Sequence, residues 1–331
     1  MVEVSRAERR SRALTPSNLP CLSRLATVNL TAGCAHGCVY CYARCYPSYP
    51  GDGRIVFYTN TLDRIREEFG RGRCAPPVLY FSPSSDPFQP LPEVLDMAYR
   101  VLQFLLNRGQ RVAFLTKGRI PERHVALLRA NSALVQAQVG ITTLDKGIRR
   151  LFEPGAASVH KRLAQIESLC AAGVTLRARL DPLIPGWTDR PDGLEKLCRA
   201  LAQAGVKELV VSALFLRPQI VRSLARCLPE PKTLHALLRH YHVCTGSCSA
   251  AGRKGEKSLP AEFRRRLYGT VREIASRHRL GLRICGCENP DITSERCCIA
   301  GDWPGSEGAG RQGELFASGG SGRRLPSPGG S

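Results

Sequence analysis

No stretch of this 331-residue chain approaches 18 consecutive apolar residues, which excludes an ordinary membrane-spanning helix. The charged start MVEVSRAERRSRAL leads into no apolar segment of the kind an export signal needs, so the expected location is the cytoplasm. Acidic residues are scarce. Against 48 Lys and Arg stand 28 Asp and Glu, a formal charge of +20. A field of that sign draws polyanions and raises their encounter rate, so nucleic acid is the partner class that charge favours. Part of the charge lies in the expected tails, and the basic run RRRL at 264–267 reads equally as the solvated face of a helix.

Cysteine, by contrast, is plentiful, at 15 residues. In a reducing compartment clustered cysteines read as metal ligands and scattered ones as small core residues, so Cys170, Cys198 and Cys227 are expected in the core. The cluster that matters is GCAHGCVYCY at 33–42, which places Cys34, Cys38 and Cys41 within eight residues. A closed zinc site and an ordinary cubane cluster each take four protein ligands, so three thiolates from one loop imply a centre with one open position. The alternative is a zinc knuckle with His36 or Cys45 as fourth ligand. Zinc ribbons usually carry a second C-x2-C pair about 15–20 residues on, and none follows here.

The C-x3-C-x2-C spacing, with Tyr40 just before the last cysteine, resembles the signature of the radical S-adenosylmethionine (radical SAM) superfamily. The resemblance implies a 4Fe-4S cluster on Cys34, Cys38 and Cys41 whose fourth iron is chelated by SAM. It also implies cleavage of SAM to a hydrogen-abstracting 5'-deoxyadenosyl radical, with a low-potential flavodoxin or ferredoxin as electron donor.

The rest of the chain alternates short apolar segments with amphipathic ones. Strands are expected at 26–30, 78–81, 112–116, 134–141, 174–180 and 208–213, with helices at 61–69, 92–107, 121–130, 159–171 and 193–203. The stretch up to Gly53 after the cysteines reads as irregular. Six such units with apolar strands predict an α/β fold, a partial (β/α)6 TIM-type barrel whose chemistry sits at the C-terminal ends of its strands. The expected organisation is a basic N-terminal tail at 1–20, the barrel at 21–243, a cysteine-rich extension at 244–300 and a disordered tail at 301–331.

Between residues 28 and 190 the segments SSDPFQP (84–90), LTKG (115–118), ITTLD (141–145), FEPGAAS (152–158) and LDPLIPGW (180–187) are similar to those of the spore photoproduct lyase-like, or DNA repair photolyase, group. Together the two resemblances imply cofactor contacts from Tyr40, Ser85, Asp86 and Lys117. The similarity to the photolyase group also sets Gly140 where spore photoproduct lyase has serine, leaving Thr142 as the substitute hydroxyl. Ser84–Asp86 reads alternatively as a turn cap, Lys117 as a surface lysine, and Arg179 with Asp181 as an ordinary ion pair. Past 260 a basic helix and a strand at 282–285 precede Cys285, Cys287, Cys297 and Cys298, which read as an auxiliary 4Fe-4S centre, a structural zinc site or unmetallated thiols. The function implied is radical chemistry on nucleic acid of the DNA repair kind. The alternatives are modification of RNA or a peptide, and a zinc-stabilised nucleic-acid-binding protein.

Overall fold

The computed structural model describes residues 2–16, 25–70, 76–241 and 256–293. Its strands are β1 Glu3–Ala7, β2 Thr15–Pro16, β3 Ala26–Val28, β4 Thr31–Ala32, β5 Arg54–Tyr58, β6 Leu79–Phe81, β7 Val112–Thr116, β8 Val135–Gly140, β9 Thr175–Leu183, β10 Glu208–Ala213 and β11 Gly281–Ile284. Its helices are α1 Thr61–Gly70, α2 Pro92–Leu106, α3 Glu122–Ala130, α4 Lys146–Phe152, α5 Val159–Ala171, α6 Pro191–Gln203, α7 Pro218–Cys227, α8 Pro231–Arg239 and α9 Ala261–Arg277.

The main sheet runs β11-β10-β9-β8-β7-β6-β3-β2. From β3 to β11 every neighbouring pair is parallel, and only the two-residue β2 joins antiparallel at the edge. This is the partial barrel the alternation predicts, open between β2 and β11. Strand β8 is buried along its whole length, as expected of a parallel strand covered on both faces. Helix α2 shows the complementary pattern: Val94, Met97, Ala98, Val101, Leu102 and Leu105 fall at helical spacing on one buried stripe. Leu79 and Phe81 of β6 join the large core, while Tyr80 between them turns to a smaller inner cluster with Ala113, Val210 and Cys285.

Three expectations need correction. The segment read as a basic tail contains β1, which pairs in parallel with β5 from Glu3↔Arg54 to Ala7↔Tyr58, and Arg6 grips Glu93 with Nε at 2.9 Å and Nη2 at 3.1 Å. The cysteine-rich extension is no separate unit as far as β11, which adds a seventh parallel strand along β10. Cys227, expected in the core, is exposed at the end of α7. The calls on Cys297, Cys298 and the 301–331 tail lie outside the described residues.

Candidate active site

The cysteine loop follows β4 and is fixed at both ends. At its start, fully buried Gln89 accepts from the Ala35 N–H at 2.8 Å and donates to Thr31 Oγ1 at 2.9 Å. Thr31 in turn donates to the Gly33 carbonyl at 2.9 Å. The middle of the loop zips onto residues 152–155: Val39 N–H donates to Phe152 O and Gly155 N–H to His36 O, each at 2.9 Å. Arg44 closes the far end, its Nε 3.2 Å from Cys38 O and its Nη2 3.3 Å from Gly37 O. At the zipper a Cβ on Gly155 would lie 2.3 Å from Ala35 O and 3.0 Å from His36 Cα, both backbone atoms that cannot swing aside. Gly155→Ala is therefore expected to destabilise the fold by about 1–3 kcal/mol and to lower iron content per chain; unchanged iron and thermal midpoint would refute the zipper's role.

One cavity takes in all three cysteines together with Ser82, Ser85, Asp86, Lys117, Arg179, Asp181, Cys285 and Cys287. Burial raises all three loop thiols, Cys38 to about 12, so without a metal they are protonated and poor nucleophiles. Binding a metal centre would release those protons. The knuckle alternative finds no support from His36: its Nδ1 lies 3.1 Å from Gly155 O and its Nε2 3.1 Å from Asp86 Oδ2. Cys45 is not part of the cavity wall, and among the described residues no three His, Cys, Asp or Glu side chains gather around a single-ion position.

Asp86 belongs to the cavity wall but spends its oxygens on the protein. Oδ1 accepts from Phe88 N–H and Thr116 Oγ1, each at 2.8 Å, and Oδ2 from Lys117 N–H at 2.7 Å. Burial pushes its pKa up; His36 and the two N–H donors outweigh that and leave it below the usual value. Asp86 thus ties the cysteine loop to the ends of β6 and β7. Lys117 points its Nζ into the cavity, 3.2 Å from Asp181 O and 5.4 Å from the Tyr40 ring centroid, and makes no ion pair among the described residues. Gly140 makes room for it: a Cβ there would sit 2.9 Å from Lys117 Cγ and 3.0 Å from its Nζ. Thr142 is buried beyond β8 and is not brought to the cavity, because the chain turns away after Ile141 N–H bonds Arg179 O.

Sequence reasoning missed Ser82, which adopts a left-handed φ of 55° directly after β6. Its Oγ and that of Ser85 are buried without a protein partner at the cavity wall, and a non-glycine residue held in that conformation is a mark of functional sites. Glu153 and Arg162 were missed too. Both side chains are 1 % exposed and pair at 2.5 Å; Tyr40 OH donates to Glu153, and Arg162 Nη1 to Gly140 O at 2.7 Å. Burial raises the Glu153 carboxyl, but Arg162 and then Lys117 overcome that and keep it ionised below its ordinary value.

Across the cavity, Arg179 and Asp181 form the expected ion pair at 2.7 Å, and both line the wall. Arg179 Nη2 also lies 3.5 Å from Cys285 Sγ. Cys285 and Cys287 are held there by the following turn, where buried Asn289 donates to Cys285 O at 2.9 Å and accepts from Tyr268 OH at 2.8 Å and Arg264 Nη1 at 2.9 Å.

Residues 28–201, more than half of the chain, match the model of the radical SAM superfamily. The chain belongs to that superfamily. The chain is 28% identical over 267 residues to an uncharacterized protein of Mycobacterium tuberculosis, covering 77% of this chain and 74% of that one. It is 26% identical over 194 residues to a radical SAM Nalpha-GlyT isomerase of Pseudomonas phage M6, covering 58% and 40%. A spore photoproduct lyase variant with bound AdoMet and dinucleoside spore photoproduct shares the fold at a TM-score of 0.63 and 17% identity, over 85% of this chain and 81% of that one. As a radical SAM enzyme, the chain is implied to hold a 4Fe-4S cluster and SAM. The donor set fits both: three thiols on one stretch of wall, with a cation and two unpartnered buried hydroxyls in the same cavity.

Proposed function

We propose that this radical SAM enzyme acts on nucleic acid, with a single nucleotide entering the cavity beside SAM, in lyase chemistry of the DNA-repair kind. The observation that carries the reading is the +20 charge, on a fold shared with a lyase whose ligand is a dinucleoside photoproduct. Tyr42, Tyr80 and Phe215 add aromatic surface to the cavity wall, suited to stacking a base. A base in a duplex would first have to leave its stack, at about a few kcal/mol, so unpaired or damaged sites are favoured.

In this reading Cys34, Cys38 and Cys41 hold the cluster. The Lys117 ammonium pairs with the SAM carboxylate, and the Ser82 and Ser85 oxygens accept from its amino group. When bound, the cluster and SAM supply one-electron cleavage of the sulfonium, yielding methionine and a 5'-deoxyadenosyl group that takes hydrogen from the substrate. The protein's share is orientation and exclusion of water. Asp86 and Gln89 fix the loop, Glu153 holds Tyr40 in place, and the Arg179–Asp181 pair and the β11 turn close the opposite side.

Two measurements test the substrate. Affinity for single-stranded DNA should fall steeply with added salt, with a slope of about −0.7 per phosphate contact for several contacts. Under anaerobic reduction, 5'-deoxyadenosine should form faster with single-stranded or lesion-bearing DNA, and deuterium from a labelled thymine lesion should pass into it. SAM turnover that no nucleic acid stimulates, or salt-insensitive binding of a small metabolite, would overturn this reading and leave the family assignment intact. Stimulation by RNA alone would move the substrate to RNA.

A further inference from the structure

The basic run at 264–267 is divided by the fold. Arg264 is buried, its Nε donating to Leu259 O at 2.9 Å and its Nη1 to Asn289 Oδ1 at 2.9 Å and Asp291 Oδ1 at 3.0 Å. Arg266 stays exposed and lines a second cavity of about 470 Å³ between the end of α8 and the start of α9. That volume lies in the range of small-ligand pockets, about 300–1,000 Å³. None of its lining residues belongs to the cavity of the three cysteines.

Its walls combine rings with cations. His240 and Phe263 are half-buried, with ring centroids 5.4 Å apart and planes tilted by 59°. Exposed Arg239 comes from α8 and exposed Arg266 from α9. Glu262 lies one turn before Arg266 and 3.4 Å from its Nη1, but both side chains are more than two-thirds exposed, so the pair is weak and leaves Arg266 able to turn elsewhere.

The groove adjoins the wall of the active-site cavity. Tyr241, next to His240, donates its OH at 2.7 Å to the carbonyl of Leu214, a residue of that wall. Leu216, one residue past Phe215 of the same wall, exchanges two backbone hydrogen bonds of 2.8 Å with Lys257. Pro260 of the groove stands three residues further on, at most about 11 Å of extended chain. Arg264 and Asn289 tie α9 to the Cys285 turn in the same way.

We propose that the groove between α8 and α9 is a second nucleotide subsite, holding a nucleotide of the substrate strand that flanks the one entering the cavity. Its base stacks on Phe263 and His240, and its phosphates pair with Arg239 and Arg266. The inference rests on the nucleic-acid reading and says where the strand runs beyond the cavity. An acidic protein is the less suitable occupant, because the surface between the two cations is aromatic, which a base can stack on and a carboxylate cannot use.

The test compares three cluster-loaded full chains, unsubstituted, Arg239→Gln with Arg266→Gln, and Phe263→Leu, binding an oligothymidylate of about a dozen nucleotides. The double substitution should weaken binding about tenfold at low salt and reduce the salt slope by about 1.4, two phosphate contacts at about 0.7 each. Phe263→Leu should weaken binding about fivefold and leave the slope unchanged, because stacking releases no counterions. Iron per chain and thermal midpoint should be the same in all three proteins. Equal affinities would overturn the proposal, and so would losses that track lost iron, which would place the effect in the cavity. A loss confined to the arginine variant would overturn it as well, by reducing the groove to unspecific charge. An unsubstituted enzyme that binds no oligothymidylate, and whose SAM cleavage no nucleic acid stimulates, would instead defeat the nucleic-acid reading and this proposal with it.

Discussion

Replacing any one of Cys34, Cys38 or Cys41 with alanine is expected to bring SAM cleavage down to the level of iron-free protein. The loop offers no spare ligand. Cys45 stands outside the cavity wall, and both His36 nitrogens are within 3.1 Å of other groups, Gly155 O and Asp86. Cys285 and Cys287 belong to the strand-end turn across the cavity, pinned by Asn289 and Arg264, and cannot follow a vacated position in the loop. Iron should fall well below the value of about four per chain that one cubane cluster supplies, because two remaining ligands cannot hold it in register. Anaerobic iron and sulfide analysis with product chromatography checks this. A single variant retaining full iron and full cleavage would show that the ligand set lies elsewhere.

Arg162→Met should be the most damaging substitution away from the cysteines. It leaves the Glu153 carboxylate 1 % exposed with its charge partner gone, and breaking a buried pair from one side costs about 3–5 kcal/mol. The sign with pH follows from the lowered pKa of Glu153 in the intact protein: its contribution is present above its ordinary value of 4.5 and is lost as pH falls through the lowered value. In the variant the unpaired carboxyl favours its neutral form. The deficit should therefore be large at neutral pH and shrink in acid. Denaturant midpoints of both proteins across that range check it, and a deficit independent of pH would show that lost packing around the guanidinium, and not the stranded charge, is responsible. Because Tyr40 hangs on the same carboxylate, the variant should also hold iron less well.

The barrel was legible because its units are local. The strand at Val112–Thr116, the helix at Val159–Ala171 and the strand at Glu208–Ala213 lie where periodicity puts them, each an apolar run or stripe bounded by residues that stop it. Strand β1 was not legible. EVSRA has no alternating apolar pattern of its own, and its identity as a strand comes from pairing with β5 some fifty residues on. The site divides the same way. Cys34, Cys38 and Cys41 are marked by spacing alone, and Ser85 and Lys117 were found by likeness of short motifs. The roles of Glu153, Gln89 and Ser82 depend on partners or backbone geometry that no linear pattern carries. A carboxylate and an arginine nine residues apart, flanking the start of α5, were the available signal for the Glu153–Arg162 pair. Asp86 shows the reverse: a residue picked out for a ligand contact whose oxygens are spent on holding the site together.

The turn after β11 bears on how the enzyme is made. The thiols of the cysteine loop leave the ribosome about 240 residues before Cys285 to Glu288, which form part of the opposite side of their cavity. At about 5–20 residues per second that interval is on the order of tens of seconds. During it the nascent chain presents three cysteines in a half-built cavity, open on the side that the last strand will cover. Whatever loads the loop meets a wider opening then than once β11 is in place, and so does oxygen. The order of translation thus sets a window in which the centre is both easiest to load and easiest to lose.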